Sequence, residues 1–181
     1  MPLATDLPPR GSRPPLVLIA AMTPERVIGR EDGLPWDLPE EYAHFLSCIR
    51  DQTVIMGRRS WAIFGDDLTS RLNVVVSRTA DELAGAVVAR SIDEALAVTA
   101  PTGGTVFSAG GATIYAATMP RADALWLSVI HNRFVGDTYF PRIDVDTWRE
   151  VRREPHDGWD FVVWHRRASD ERLAGASGTG E

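Results

Sequence analysis

Glu40 and Glu41 stand side by side in the stretch GLPWDLPEEYAHF, Gly33 to Phe45, just behind a tryptophan bracketed by prolines. Pro39 suits the first turn of a helix running to about Ile49. At about 100° per residue, Leu38, Tyr42, Phe45, Leu46 and Ile49 form one apolar stripe on that helix. Glu40 falls opposite the stripe with His44 and Ser47, where hydration and the helix dipole both favour it. Glu41 falls on the stripe's margin, about 40° from Phe45. A carboxylate on a half-buried face needs a partner or a task. A structural salt bridge and a ligand contact both remain open for it.

A second constellation is basic and small. Each member follows a short apolar run: Gly57-Arg58-Arg59-Ser60, Ser77-Arg78, Arg90-Ser91, and Gly110-Gly111-Ala112-Thr113. Singly, such arginines are usually solvated and such a Gly pair is usually a tight turn. Together, at successive strand ends, they suit a phosphorylated ligand, most simply a dinucleotide. The histidines (44, 131, 156 and 165) show no metal-ligand spacing, and no metal is expected. His44 reads as a helix-surface residue, and the lone Cys48 as a small helix residue.

The elements that must position these groups alternate. Strands are predicted over 16–22, 53–57, 73–77, 86–89, 105–109, 124–130, 137–140, 148–154 and 159–167. Helices follow the second and fifth of these, and Ser91 with Glu94 forms a capping-box pattern opening another. Residues 22–39 read as a long Gly/Pro-rich loop, a length typical of functional lids. The pattern predicts an α/β fold: one domain with a central, mainly parallel sheet, an antiparallel C-terminal edge strand and helices on both faces. Ligands of such sheets sit beyond the carboxyl ends of the strands. At 181 residues the chain has room for one well-buried core, and its net charge of −6 argues against general nucleic-acid binding. No apolar run approaches the roughly 20 residues that span a bilayer. The lone cysteine fits a reducing compartment, and a cytoplasmic protein is expected. Pro-rich and small-residue compositions predict flexible segments at 1–14 and 168–181 around a folded domain at 15–167.

The motifs "LIAAM", "LPWDLPEE", "VIMGRRSW", "NVVVS", "AGG" with Tyr115, and "VGDTYFP" resemble those of the dihydrofolate reductase family from about Leu16 to Arg167. The resemblance implies NADPH-dependent reduction of 7,8-dihydrofolate to tetrahydrofolate, with antifolates as further ligands and a monomeric state. It puts Glu41 at the family's active-site acid, binding the pterin 2-amino group and N3, and Trp36 and Leu34 in the mobile lid, with Trp36 holding an ordered water. It puts Ile19, Phe45, Phe64 and Leu68 around the substrate, Ser128 behind the acid, and Arg71 on the substrate's glutamate carboxylate. Ala21 and Ile28 match residues beside the nicotinamide. Gly57, Arg58, Arg59, Ser60, Ser77, Arg78 and Arg90 match the phosphate and adenosine side. Gly110 and Gly111 match a cis-linked pair, and Ala112, Thr113, Ile114 and Tyr115 follow on the cofactor side. Two departures stand out: Leu68-Thr69-Ser70-Arg71 where the family has Leu-Pro-Gly-Arg, and Ala109-Gly110-Gly111-Ala112 where it has Ile-Gly-Gly-Gly. Ala109 should widen the pocket near the nicotinamide. Rival expectations are a reductase of another pterin or of a riboflavin precursor, and a silent nucleotide-binding homologue.

Overall fold

Continuous apolar runs can be buried on both faces of a sheet only if helices cover both faces. The computed structural model, which describes residues 6–8, 11–31 and 33–168, shows that arrangement. Strands β1 (Leu16–Met22), β3 (Thr53–Gly57), β4 (Leu72–Val76), β5 (Val87–Ala89), β6 (Val106–Ser108) and β7 (Ala124–Ile130) are mutually parallel. With β9 (Trp148–His156) and β10 (Trp159–Arg166), the sheet order is β5-β4-β3-β6-β1-β7-β10-β9. The antiparallel edge is two strands deep, because β10 pairs antiparallel with both β7 and β9.

Helices α1 (Pro39–Ile49) and α2 (Arg58–Phe64) lie on one face of the sheet, and α3 (Ile92–Thr99) and α4 (Ala112–Thr118) on the other. Each face has its own apolar cluster: Leu18, Ile55 and Leu125 belong to one, and Val17, Val54 and Phe107 to the other. The α3 cap forms in part as its sequence pattern predicts: the Glu94 N–H donates to Ser91 Oγ at 3.1 Å, but Glu94 Oε2 reaches one residue further back and accepts from the Arg90 N–H at 2.7 Å.

The predicted lid loop contains a piece of sheet that periodicity could not reveal. Strand β2 (Val27–Gly29) pairs antiparallel with β8 (Thr138–Tyr139), which falls within the strand predicted at 137–140; β2 itself is too short to show an alternation. The stretch expected as a free extension also carries two anchors. Asp6 is 1% exposed; its carboxylate accepts from Arg152 Nη1 at 2.5 Å, and its carbonyl accepts from Trp126 Nε1 at 3.0 Å. Arg13 makes a two-armed bond to Asp123, at 2.8 and 2.9 Å. Charge pairing and an indole N–H in need of an acceptor fix these residues, whatever their composition suggests. Residues 1–5, 9 and 10 of the expected N-terminal extension, and the expected tail beyond Ala168, lie outside the described residues.

Candidate active site

Helix α1 delivers the two glutamates to different environments. Glu40 is exposed, and Glu41 is only 4% exposed. Burial pushes the Glu41 carboxyl above its ordinary value, and a hydrogen bond from the Ser128 hydroxyl partly offsets this. Ser128 sits on β7, beside Ala21 of β1, so the central sheet supplies the acid's support. The helical face expected to be solvated is less exposed than the wheel implies. His44 packs against Phe161 (ring centroids 4.6 Å) and Trp159 (5.1 Å), because the β9–β10 hairpin flanks the helix. Burial lowers its pKa to about 4, so it is neutral at ordinary pH. Cys48 is buried and its thiol is pushed up to about 12, which removes it as a nucleophile.

Glu41 faces a cleft of about 670 Å³ at the carboxyl ends of the parallel strands. Ile19, Phe45 and Phe64 line it near the acid, with Ala21, Ile28 and Leu34 nearby. Trp36 is buried in the lid, edge-on to Phe134 at 5.6 Å, and its Nε1–H has no acceptor among the described residues. The lid is tied down from two sides. The Glu31 N–H donates to Asp137 Oδ2 at 2.9 Å, and Arg59 Nη2 donates to the Glu31 carbonyl at 2.7 Å. Gly136 permits this approach, since a Cβ there would sit 2.3 Å from Val27 Cγ1 and 2.4 Å from the Gly29 carbonyl oxygen.

The other end of the cleft is cationic. Arg58, Arg59, Ser60, Ser77, Arg78 and Arg90 all line it, and Gly57 lies at its floor. Arg90 is held by the Ala80 carbonyl (2.5 Å) and Asp81 (2.7 Å), while Arg78 is exposed. Gly110 and Gly111 are joined by a cis peptide, and the Gly110 carbonyl accepts from the Gly57 N–H at 2.7 Å. Gly110 has φ +96°, a conformation that side chains disfavour, and the Tyr115 ring closes over it. Ala112, Thr113, Ile114 and Tyr115 complete this wall, with Ala109 beside them. An apolar slot, with Ala21 and Ile28 in its wall, leads to a row of arginines, an arrangement that suits a ligand with a flat ring at one end and anionic groups at the other.

Four residues expected at the substrate end do not line the cleft: Ser128 stands behind Glu41, Trp36 is buried in the lid, and Leu68 and Arg71 lie elsewhere. Leu68 packs into the apolar cluster under α1. Arg71 is exposed and donates through Nη2 to the Thr102 carbonyl at 2.8 Å. The altered loop is the physical reason. Thr69 Oγ1 donates to the Leu46 carbonyl at 2.6 Å, the Asp51 N–H donates to the Thr69 carbonyl at 3.0 Å, and Ser70 Oγ bonds Asn73 Oδ1 at 2.5 Å. Tyr42 and Ile63, which sequence reasoning did not single out, do line the cleft. Tyr42 falls on the apolar stripe of α1, and its hydroxyl is the signal that it meets a polar partner.

A parallel sheet with a cationic groove and one buried carboxylate in an apolar slot defines a nucleotide-dependent reductase acting on a small heterocycle. The sequence profile of dihydrofolate reductase matches residues 15–163. The chain is 33% identical to dihydrofolate reductase of Bacillus subtilis, over 84% of its own length and 95% of that protein's. It is 38% identical to dihydrofolate reductase type 3 of Salmonella typhimurium, over 79% and 88% of the two chains. The structure of Enterococcus faecalis dihydrofolate reductase complexed with NADP(H) and RAB-propyl superposes with TM-score 0.78 at 31% identity, covering 85% of this chain and 97% of that one. The chain belongs to the dihydrofolate reductase family. It is an oxidoreductase that reduces 7,8-dihydrofolate with NADPH.

Proposed function

We propose that the reaction divides between the two ends of the cleft, with Glu41 as the one ionisable group that reads the pterin. Bound NADPH supplies the hydride, delivered from its C4 to C6 of dihydrofolate. The protein's own part is to align the two rings, exclude water and manage the proton that goes to N5. The Glu41 carboxylate accepts hydrogen bonds from the pterin 2-amino group and N3, which offsets the burial it suffers in the free protein. It polarises the ring, and a water admitted under the lid carries the proton. Trp36 suits the task of holding a water there, because its buried N–H has no acceptor among the described residues.

Arg58, Arg59, Ser60, Ser77, Arg78 and Arg90 bind the phosphates, and Ile19, Phe45 and Phe64 pack on the pterin. Arg71 reaches the substrate's glutamate only by leaving the Thr102 carbonyl. Residues 15–167 act as the catalytic unit, as a cytoplasmic monomer. The observation that carries this reading is a single buried carboxylate in an apolar slot that continues into a row of arginines. Loss of NADPH absorbance on adding dihydrofolate tests the reaction, and sedimentation tests the monomer. Turnover of a tailless pterin but not of dihydrofolate would redirect the substrate assignment.

A further inference from the structure

Helix α1 and helix α2 form opposite walls of the cleft, and beyond Phe64 the α2 wall continues into a turn of 3-10 helix, Gly65–Asp67. The two walls are stitched together there. The Tyr42 hydroxyl donates to Asp67 Oδ2 at 2.9 Å. About one turn further along α1, Thr69 Oγ1 donates to the Leu46 carbonyl at 2.6 Å, and the Asp51 N–H donates to the Thr69 carbonyl at 3.0 Å. Leu46 lies in the last turn of α1, where carbonyls lack helical partners, so the threonine satisfies an otherwise orphaned acceptor. The Tyr42 ring stands 6.0 Å from Phe45 and 6.3 Å from Phe64, centroid to centroid, and so fills the space between the walls.

A pterin whose amino edge faces Glu41 carries its C6 substituent at the far end of the bicycle. A p-aminobenzoyl-glutamate tail on that carbon must leave between these same walls. There it meets a closed seam, and at the seam an exposed carboxylate, Asp67, with Asp66 beside it. The cation that would welcome the tail's carboxylates, Arg71, lies outside the cleft lining and turns Nη2 to the Thr102 carbonyl. Closure and charge both oppose an acidic tail, and neither touches a pterin that lacks one.

We propose that Tyr42 and Asp67 form a latch over the tail exit, a specificity-determining pair that weakens binding of tailed pterins relative to tailless ones. This rests on the substrate reading given above. Opening the latch costs one hydrogen bond and brings like charges together, and both effects vanish for a tailless ligand.

The test is the ratio of Kd for dihydrofolate to Kd for a tailless 6-methyl dihydropterin, in the presence of NADP+, which cannot reduce either ligand. It compares wild type, Tyr42→Phe (ring kept, bond lost), Asp67→Asn (acceptor kept, charge lost) and Asp67→Ala (both lost). Each of the first two variants should lower the ratio roughly three- to tenfold, and Asp67→Ala by more. Asp67→Asn should leave the tailless Kd unchanged, and its effect should shrink at high salt, whereas that of Tyr42→Phe should persist. A merely structural pair would weaken both ligands alike and leave the ratio within about twofold of wild type, which overturns the proposal. A rising ratio overturns it as well, because the pair would then be helping the tail. Turnover is read separately: an enzyme that binds both ligands but does not reduce dihydrofolate counts against the activity, while the Kd ratio still judges the latch.

Discussion

The two ends of the cleft were specified by different kinds of information. At the cofactor end, the residues picked out from the strand-end pattern line the cleft from Gly57 through Arg90 to Thr113, except Ser91, which caps α3 instead. At the other end, Leu68 and Arg71 do not, and Tyr42 lines the cleft with its hydroxyl bonded to Asp67. The cofactor end is built where parallel strands hand over to the next segment, and the sheet fixes the direction of each such junction. The tail end is built from one helix and an irregular segment, whose shape depends on which carbonyls Thr69, Ser70 and Arg71 choose. A parallel sheet constrains its strand ends far more tightly than a loop constrains its side chains.

The comparison breaks most sharply at the acid between the two ends. Glu41→Gln removes the negative charge and turns one acceptor into a donor. It should lower kcat/KM for dihydrofolate by roughly 10²–10⁴, the range of a positioned acid–base group. Glu40→Gln should change it by less than about threefold, as for an exposed charge. Steady-state rates of both variants decide the matter; a fully active Glu41→Gln enzyme sinks the assignment.

The cofactor end is sharpened next. Arg59→Ala with Arg78→Ala should raise KM for NADPH roughly 10²-fold or more while leaving NADH far less affected, since charge-assisted contacts contribute about 1.5–3 kcal/mol each. Equal losses for the two cofactors would show that these arginines do not read the 2′-phosphate.

At the tail end, the effect of Arg71 should be smaller. Arg71→Ala should weaken dihydrofolate binding roughly three- to tenfold and spare a tailless dihydropterin, because the side chain must first give up its bond to Thr102. Isothermal titration with both ligands checks it, and a parallel loss for the two would make Arg71 purely structural.

The smallest effect is on stability. The carboxyl of Glu41 is raised by burial above its ordinary 4.5. The folded protein therefore keeps this proton at pH values where the unfolded chain has released it. Its contribution is fully present below pH 4.5, is lost as pH rises through the raised folded value, and is constant beyond. Melting temperatures of wild type and Glu41→Gln, followed upward from pH 4.5, should diverge in the variant's favour. A wild-type curve parallel to the variant's would show that Glu41 titrates normally.

Much of this was legible because local signals and the global fold agreed. The proline at the start of α1, the Ser91–Glu94 cap and the apolar strands each appear where pattern puts them. The helical wheel separated Glu41 from Glu40 because one face of α1 meets the sheet. It misjudged His44 because a wheel knows only one neighbour, and the β9–β10 hairpin supplies a second. The β2–β8 pairing was invisible because three residues carry no period. The Arg71 contact was invisible because a guanidinium finds a carbonyl as readily as a carboxylate.

The Asp6 anchor has a mechanical consequence. Asp6 lies near the beginning of the chain, while Arg152 on β9 and His165 on β10, 3.0 Å from the Asp6 carbonyl, lie near its end. The chain is thereby closed into a loop by a part-buried ion pair. Force applied to the two ends would load this clasp before any strand of the parallel sheet. The hairpin that flanks α1 would come away first, and the helix carrying Glu41 would lose its flank while the cofactor groove still stood.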